Sequence, residues 1–262
     1  MTNEHKIYLK RIKKHKLLVI FSQISIIILF SLLWEYLASN RIINSFIYSS
    51  PSKIFNTTIE LINKGSLWVH IFTTLKEIFI AFSIGIILGF IIAIILYEIP
   101  FIAKVLDPFL TMLNSLPKVA LGPLIIILAG ANTKSIIIMA LLINLIISIM
   151  TIYNGFINTD STKLKLMNSF KASKLQILYL LIIPNAYNTI IASLKINISM
   201  TLIGVIMGEF LVSKAGIGYL IIYGTQIFNM NLVMSGILIL IIISWILYKV
   251  VTIIEKKLTK TI

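Results

Sequence analysis

The sequence predicts an all-α, polytopic membrane protein with about six transmembrane helices, and three observations predict it. Of 262 residues, 58% are hydrophobic and only 12% are charged, against roughly 45–50% and about 25% in soluble domains. Apolar runs such as Ser135–Met150 and Ser235–Leu247 recur, with too little polar sequence between them to cover so many buried helices in water. Finally, six stretches reach the roughly 20 residues that a helix needs to cross about 30 Å of hydrocarbon. They are 17–38, 72–97, 108–129, 135–157, 188–211 and 232–253.

Taken in order, the chain opens with a basic tail, 1–16, holding Lys6, Lys10, Arg11, Lys13, Lys14 and Lys16. Basic then apolar is also the pattern of a secretory signal. The run that follows is long for a signal core and has no small-x-small cleavage site, so it reads as a retained first span. A connection of 39–71 contains Ser49-Ser50-Pro51-Ser52, where the Ser52 hydroxyl is placed to cap a short helix from Lys53 to about Asn63. Within the third span Pro117, Gly122 and Pro123 interrupt the helix. Backbone groups freed by a break are tolerated in a membrane only where protein or water satisfies them, so this is either a hinge lining a pathway or a packing kink.

The segment 158–187 is polar and basic. It is helical in propensity as far as Tyr179 and then meets Pro184, which lacks an N–H and is expected to break or kink the helix. The expectation is a helical elbow that offers its surface either to a soluble partner or to anionic lipid. The fifth span carries Glu209. An ionisable group inside a span faces the interior or a partner, which places Glu209 near a pathway or gate, or at a hydrated interface. Gly204 and Gly208 are four apart and permit close helix approach. A sixth span leads into a tail, 255–262, so that the spanning domain covers 17–254.

The formal charge is +14, and position decides what it means. The six cations of the first tail, Lys104, Lys163, Lys165, Lys171, Lys174 and the four lysines 249, 256, 257 and 260 fall on one side of a six-span topology. Arg41, Lys53, Lys64, Lys134 and Lys214 fall on the other. Positive charge marks the cytoplasmic face, so both termini are expected in the cytoplasm. This pattern flanks spans and does not build a basic groove interleaved with aromatics, so the lipid bilayer and not nucleic acid is the expected partner. Lys118 and Lys195 lie in or near spans, where they either attract an anion or extend to the interface. With no cysteine, disulfides and thiolate chemistry are excluded. His5, His15 and His70 are scattered in tail and loop, and no metal site is indicated. Gly130-Ala131-Asn132-Thr133-Lys134-Ser135 lacks the second glycine of a phosphate loop, and no catalytic constellation is present.

In the elbow, Lys163 to Ile196 resembles the cytoplasmic motif E-A-A-x3-G-x9-I-x-L-P of permease subunits in binding-protein-dependent ABC importers. Pro184 takes the motif proline, Lys171 the glycine, and Lys165, Leu166 and Met167 the opening E-A-A. Phe170-Lys171-Ala172-Ser173 is similar to the family's L-G-A-S. A glycine at 171 would allow a left-handed backbone, whereas lysine costs about 1 kcal/mol or more if that shape is kept. Further matches follow in family order: Tyr48-Ser49-Ser50-Pro51-Ser52-Lys53, Thr73-Thr74-Leu75-Lys76, Leu106-Asp107-Pro108-Phe109, the run Leu116 to Leu124, and Gly208-Glu209-Phe210-Leu211 with Ala215-Gly216-Ile217-Gly218-Tyr219-Leu220. Together they look like the nitrate/sulfonate/taurine-type branch.

The resemblance implies the MetI-like ABC importer permease fold, in a bacterial cell membrane, and a subunit that is not itself an enzyme. It implies coupling to cytoplasmic ATPase subunits through Lys165, Leu166, Met167, Phe170, Lys171, Ala172, Ser173 and Pro184. It implies a second permease copy, an extracytoplasmic substrate-binding protein, and ATP bound by the partners with no cofactor in this chain. The substrate suggested by the branch is a small organic anion such as an aliphatic sulfonate. An ion-coupled secondary transporter is the first rival. It calls for internal repeats and buried ionisable residues near mid-membrane, and the sequence reveals neither. A non-transporting membrane scaffold is the second, and it would need no structured elbow.

Overall fold

The fold follows from three helices that bury small and polar residues against one another. A computed structural model describes residues 3–259, with side chains described for 11–257. Among the described residues every regular element is helical. Helix α1 spans Asn3–Ser39, α2 Ser45–Tyr48, α3 Pro51–Asn63, α4 Ser66–Glu98, α5 Pro100–Ser115 and α6 Gly122–Ala129. They are followed by α7 Thr133–Ile157, α8 Ser161–Ser169, α9 Lys174–Ile177, α10 Ile183–Val212, α11 Ile217–Gln226 and α12 Met230–Thr259.

The centre is α4, α7 and α10. Gly85 faces Asn144 and Gly89 faces Ser148, so α4 and α7 run parallel; Gly204 faces Ala140 and Gly208 faces Ile136, so α10 runs antiparallel to both. A Cβ on Gly204 would overlap the Ala140 backbone. Close approach through small residues is how helices associate where lipid removes the hydrophobic driving force. Ile78, Ala81, Ile136, Ala140, Leu202 and Val205 form the core between them. A polar seam runs inside it: Asn144 Nδ2 donates to the Ala81 carbonyl at 3.3 Å and Ser148 Oγ donates to Asn144 Oδ1 at 3.0 Å. Helix α12 closes the bundle through α11 and α10, with Ile217, Leu220, Ile239 and Ile243 in a second cluster.

Among the described residues, five helical stretches are long and apolar enough to cross a membrane: Arg11–Ser39, Ser66–Glu98, Thr133–Ile157, Lys174–Val212 and Met230–Lys257. The sixth expected span is different. Instead of one interrupted helix over 108–129, Pro100–Ser115 and Lys118–Ala129 meet at 89°. Pro108 lies inside α5 without ending it, and the turn comes at Leu116-Pro117, where both residues leave the helical region. His70, expected in a loop, belongs to the second turn of α4. The cap of α3 is also corrected. Ser50 is the N-cap and accepts from Lys53 N, because Pro51 takes the first helical position, where its missing N–H costs nothing. Ser52 instead donates from N and Oγ to Glu35 of α1, at 2.9 and 2.8 Å.

Helix α1 otherwise lies outside the bundle, its spanning stretch unburied. The basic segment continues into it without a break; the side chains of Lys6, Lys10 and Lys260 lie outside the described residues.

Candidate functional site

The elbow lies at the end of the bundle where α4 and α7 finish. Asp160 caps α8 by accepting from Thr162 N at 2.8 Å. The helix then stops in a Schellman turn: Ala172 N donates to the Met167 carbonyl at 3.1 Å and Lys171 N to the Asn168 carbonyl at 2.9 Å. This turn puts its C′ residue in the left-handed region, and Lys171 has φ +56°. The glycine geometry is therefore kept without the glycine. Ser173 starts α9 at once with a capping box, Ser173 N to Gln176 Oε1 at 2.8 Å and Gln176 N to Ser173 Oγ at 3.3 Å.

Lys165, Leu166, Met167, Phe170, Lys171, Ala172 and Ser173 thus come together on one turn. Phe170 at its tip is 74% exposed, and Leu166 and Leu175 beside it are also exposed. Pro184 is not part of this turn, nor does it break the helix as expected. A π turn over Leu178–Ile182 precedes it, and Pro184 sits in the first turn of α10. The wider turn lets the chain run on past a residue with no N–H to give. The break in this segment is at 170–173. The elbow is anchored from beneath by Leu178 and Ile182, buried against Ile152 and Phe156 of α7 and Ala93 of α4.

Pro117 makes the sharp bend described above. Ala120 N donates back to its carbonyl at 2.9 Å, and Lys118 Nζ donates to the Asn114 carbonyl at 2.8 Å. Gly122 and Pro123 do not interrupt a helix; they begin α6, with Gly122 in ordinary helical geometry against Leu211.

Glu209 lies elsewhere, at the opposite end of the bundle, fully buried. Thr74 Oγ1 donates to its Oε1 at 2.6 Å and Gly218 N to its Oε2 at 2.5 Å. Thr74 Oγ1 in turn accepts from Ile217 N at 2.9 Å, and His70 Nδ1 accepts from Gly216 N at 3.0 Å while its ring stacks on Tyr219. Glu77, 1% exposed, is hydrogen-bonded to Glu209. Gly216 has φ +117°, and a Cβ there would run into the Glu209 carboxyl.

Sequence reasoning singled out Glu209 but missed Glu77, Thr74 and His70, so buried ionisable residues do occur in the spanning region. The readable signal was their spacing: 70, 74 and 77 fall on one face of a helix, once α4 is extended back to Ser66. Lys195 is held by Glu255 in an ion pair and lies 5.9 Å from the Tyr248 ring.

Residues 85–262 match the family of binding-protein-dependent transport system inner membrane components. The chain is 31% identical to a probable ABC transporter permease protein of Haemophilus influenzae, over 83% of this chain and 88% of that one. It is 25% identical to the putative aliphatic sulfonates transport permease protein SsuC of Bacillus subtilis (87% and 83% covered), and 22% identical to the taurine transport system permease protein TauC of Escherichia coli (86% and 84%). Among solved structures, an inward-facing form of the MetNI methionine ABC transporter superposes with a TM-score of 0.65 at 15% identity, covering 73% of this chain and 95% of that one. An amino acid ABC transporter gives 0.61 at 17% identity, covering 76% and 97%. The likeness to these structures fixes the fold as MetI-like, and the sequence matches place the chain in the family of binding-protein-dependent transport system inner membrane components, as an ABC importer permease of the branch that holds the sulfonate and taurine permeases.

Proposed function

We propose that this permease forms half of a translocation pathway for a small organic anion, such as an aliphatic sulfonate, and that it is driven by cytoplasmic ATPase subunits docked on the α8–α9 elbow. The observation that carries this reading is the elbow itself. An exposed aromatic, Phe170, is presented on a turn fixed at both sides by a Schellman motif and a capping box. A lipid-binding surface helix needs no such rigid tip. A second copy of the chain completes the pathway, and an extracytoplasmic binding protein delivers substrate at the opposite end. Nucleotide stays on the ATPase subunits; this chain carries no cofactor and performs no catalysis. The bend at Pro117 lets α5 and α6 move against each other, with Gly122 and Pro123 opening α6 beside it, and Glu209 fastens the far end of α10. The chain divides into a basic cytoplasmic tail over 1–16, the spanning domain over 17–254 with its elbow at about 158–187, and a second cytoplasmic tail over 255–262.

The substrate class is supported by the names of the relatives. The orientation is supported by the sorting of cations to the elbow end. The test is reconstitution with a cognate ATPase subunit and binding protein. Phe170→Glu is expected to remove ATPase copurification and substrate-stimulated hydrolysis while the permease still purifies as a folded protein. Full stimulation in that variant would remove the elbow from the coupling path.

A further inference from the structure

We propose that Glu77 and Glu209 form a proton-binding site, in which one shared proton fastens the 213–216 loop and the start of α11 to α4. The argument is a count of donors. An ionised carboxylate only accepts hydrogen bonds. Glu209 already receives Thr74 Oγ1–H and Gly218 N–H, with a further backbone bond from Tyr219, so its oxygens face donors and it carries the negative charge. Glu77 is bonded to that same carboxyl. Two buried carboxyl groups held against each other are both charged only at high cost, and Glu209 is the one supplied with donors, so Glu77 is the acid and Glu209 the acceptor. A second observation agrees: the other Glu77 oxygen, Oε2, is buried with no hydrogen-bond partner. A buried carboxylate stripped of partners is far more costly than a neutral acid in the same place. A metal cation is a poorer occupant, because the groups converging on Glu209 are N–H and O–H donors, which a cation repels.

The loop depends on this charge arrangement. Gly216 donates to His70, Ile217 to Thr74 and Gly218 to Glu209, so three successive amides where the loop enters α11 end on a face of α4 and on the acid pair. Opening the loop exposes both acids to water, where each is fully ionised at neutral pH; one proton leaves to solvent and the two carboxylates separate. Docked, the site therefore binds one more proton than open, and the docked state gains as pH falls. The other titratable or charged groups on the elements that meet at the pair are His70 and Lys76 on α4, Lys214 in the loop, Tyr219 and Tyr223 on α11, and Lys134 at the start of α7; α12 places Ile239 and Ile243 in one cluster with Ile217. Work above pH 7 keeps the imidazole neutral.

The test uses the purified full-length permease in lipid nanodiscs, without ATPase or binding protein, so that its outcome is independent of the coupling proposal. Infrared difference spectra are expected to contain a protonated-carboxyl C=O band at neutral pH, shifted by exchange into D2O and lost in Glu77→Gln, whose amide still donates to Glu209. The chain has no native cysteine, so Ile217→Cys, at a fully buried position, reports loop opening by alkylation. Corrected for thiolate fraction with an exposed Lys64→Cys control, its rate is expected to rise about tenfold per pH unit, the slope of one released proton, and to lose that slope when combined with Glu77→Gln. Absence of the band in the wild-type protein overturns the proposal, as does a band that survives Glu77→Gln or an alkylation rate with no pH slope.

Discussion

Two residues hold backbone geometry that their surroundings demand, and they differ in whether the side chain agrees with it. Lys171 adopts φ +56° as the C′ residue of a Schellman turn, where any Cβ crowds the following carbonyl by about 1–2 kcal/mol. Lys171→Gly removes that strain and loses part of the gain to the greater freedom of glycine in the unfolded chain. A net gain of about 0.5–1 kcal/mol is expected, read as roughly two- to fivefold slower hydrogen exchange at the Ala172 amide; faster exchange would mean that the turn is not held by its Schellman bonds. Gly216 is the opposite case, because its φ of +117° and the adjacent Glu209 carboxyl both require the missing side chain. Gly216→Ala combines backbone strain with a collision and is expected to cost about 2–3 kcal/mol, seen as a lower thermal midpoint in detergent. An unchanged midpoint would show that the loop relaxes freely.

Among the elements, α7 and α10 carry the bundle, and their contact was written in the sequence as Gly204 and Gly208. Gly204→Val places a Cβ 2.5 Å from the Ala140 Cα and adds two methyl groups to it, and helices as closely packed as these have no slack to absorb them. A loss of at least about 2 kcal/mol is expected, whereas the same substitution at the exposed Ile203 costs little; equal midpoints for the two variants would contradict the packing. The spans themselves were legible because length and apolarity are properties of the local chain. What escaped was every feature set by a neighbour. Pro184 reads as a break until a π turn supplies the room for it. Pro108 and Pro117 are the same residue type, yet only the second marks the 89° bend. Glu77 looks like one more polar residue after Lys76, and it becomes part of a site only when α10 brings Glu209 against it. The elbow was legible as a segment because it is polar between apolar runs, and the turn at 170–173 was visible only through the glycine position that lysine occupies.

At the scale of the whole molecule the decisive quantity is which end carries the charge. Arg11, Lys13, Lys14 and Lys16 on α1, Lys104 on α5, the lysines of α8 and α9, and Lys249, Lys256 and Lys257 on α12 gather at the elbow end. Arg41, Lys53, Lys64, Lys134 and Lys214 lie at the other. Helix α1 makes the division physical: 37 residues extend about 55 Å at 1.5 Å per residue, well beyond a hydrocarbon core of about 30 Å, and its basic turns project from the elbow end. Translocating that end would drag at least twice as many cations across the bilayer as leaving it in place, which supports the proposed orientation with the elbow in the cytoplasm. Because the chain lacks cysteine, the claim is open to a direct measurement with single-cysteine variants and a membrane-impermeant maleimide. Phe170→Cys, at the exposed tip of the elbow, is expected to react only in inside-out vesicles, and Lys64→Cys, between α3 and α4, only in intact cells. The reverse pattern would put the proposed ATPase docking turn on the wrong side of the membrane and remove the coupling proposal with it.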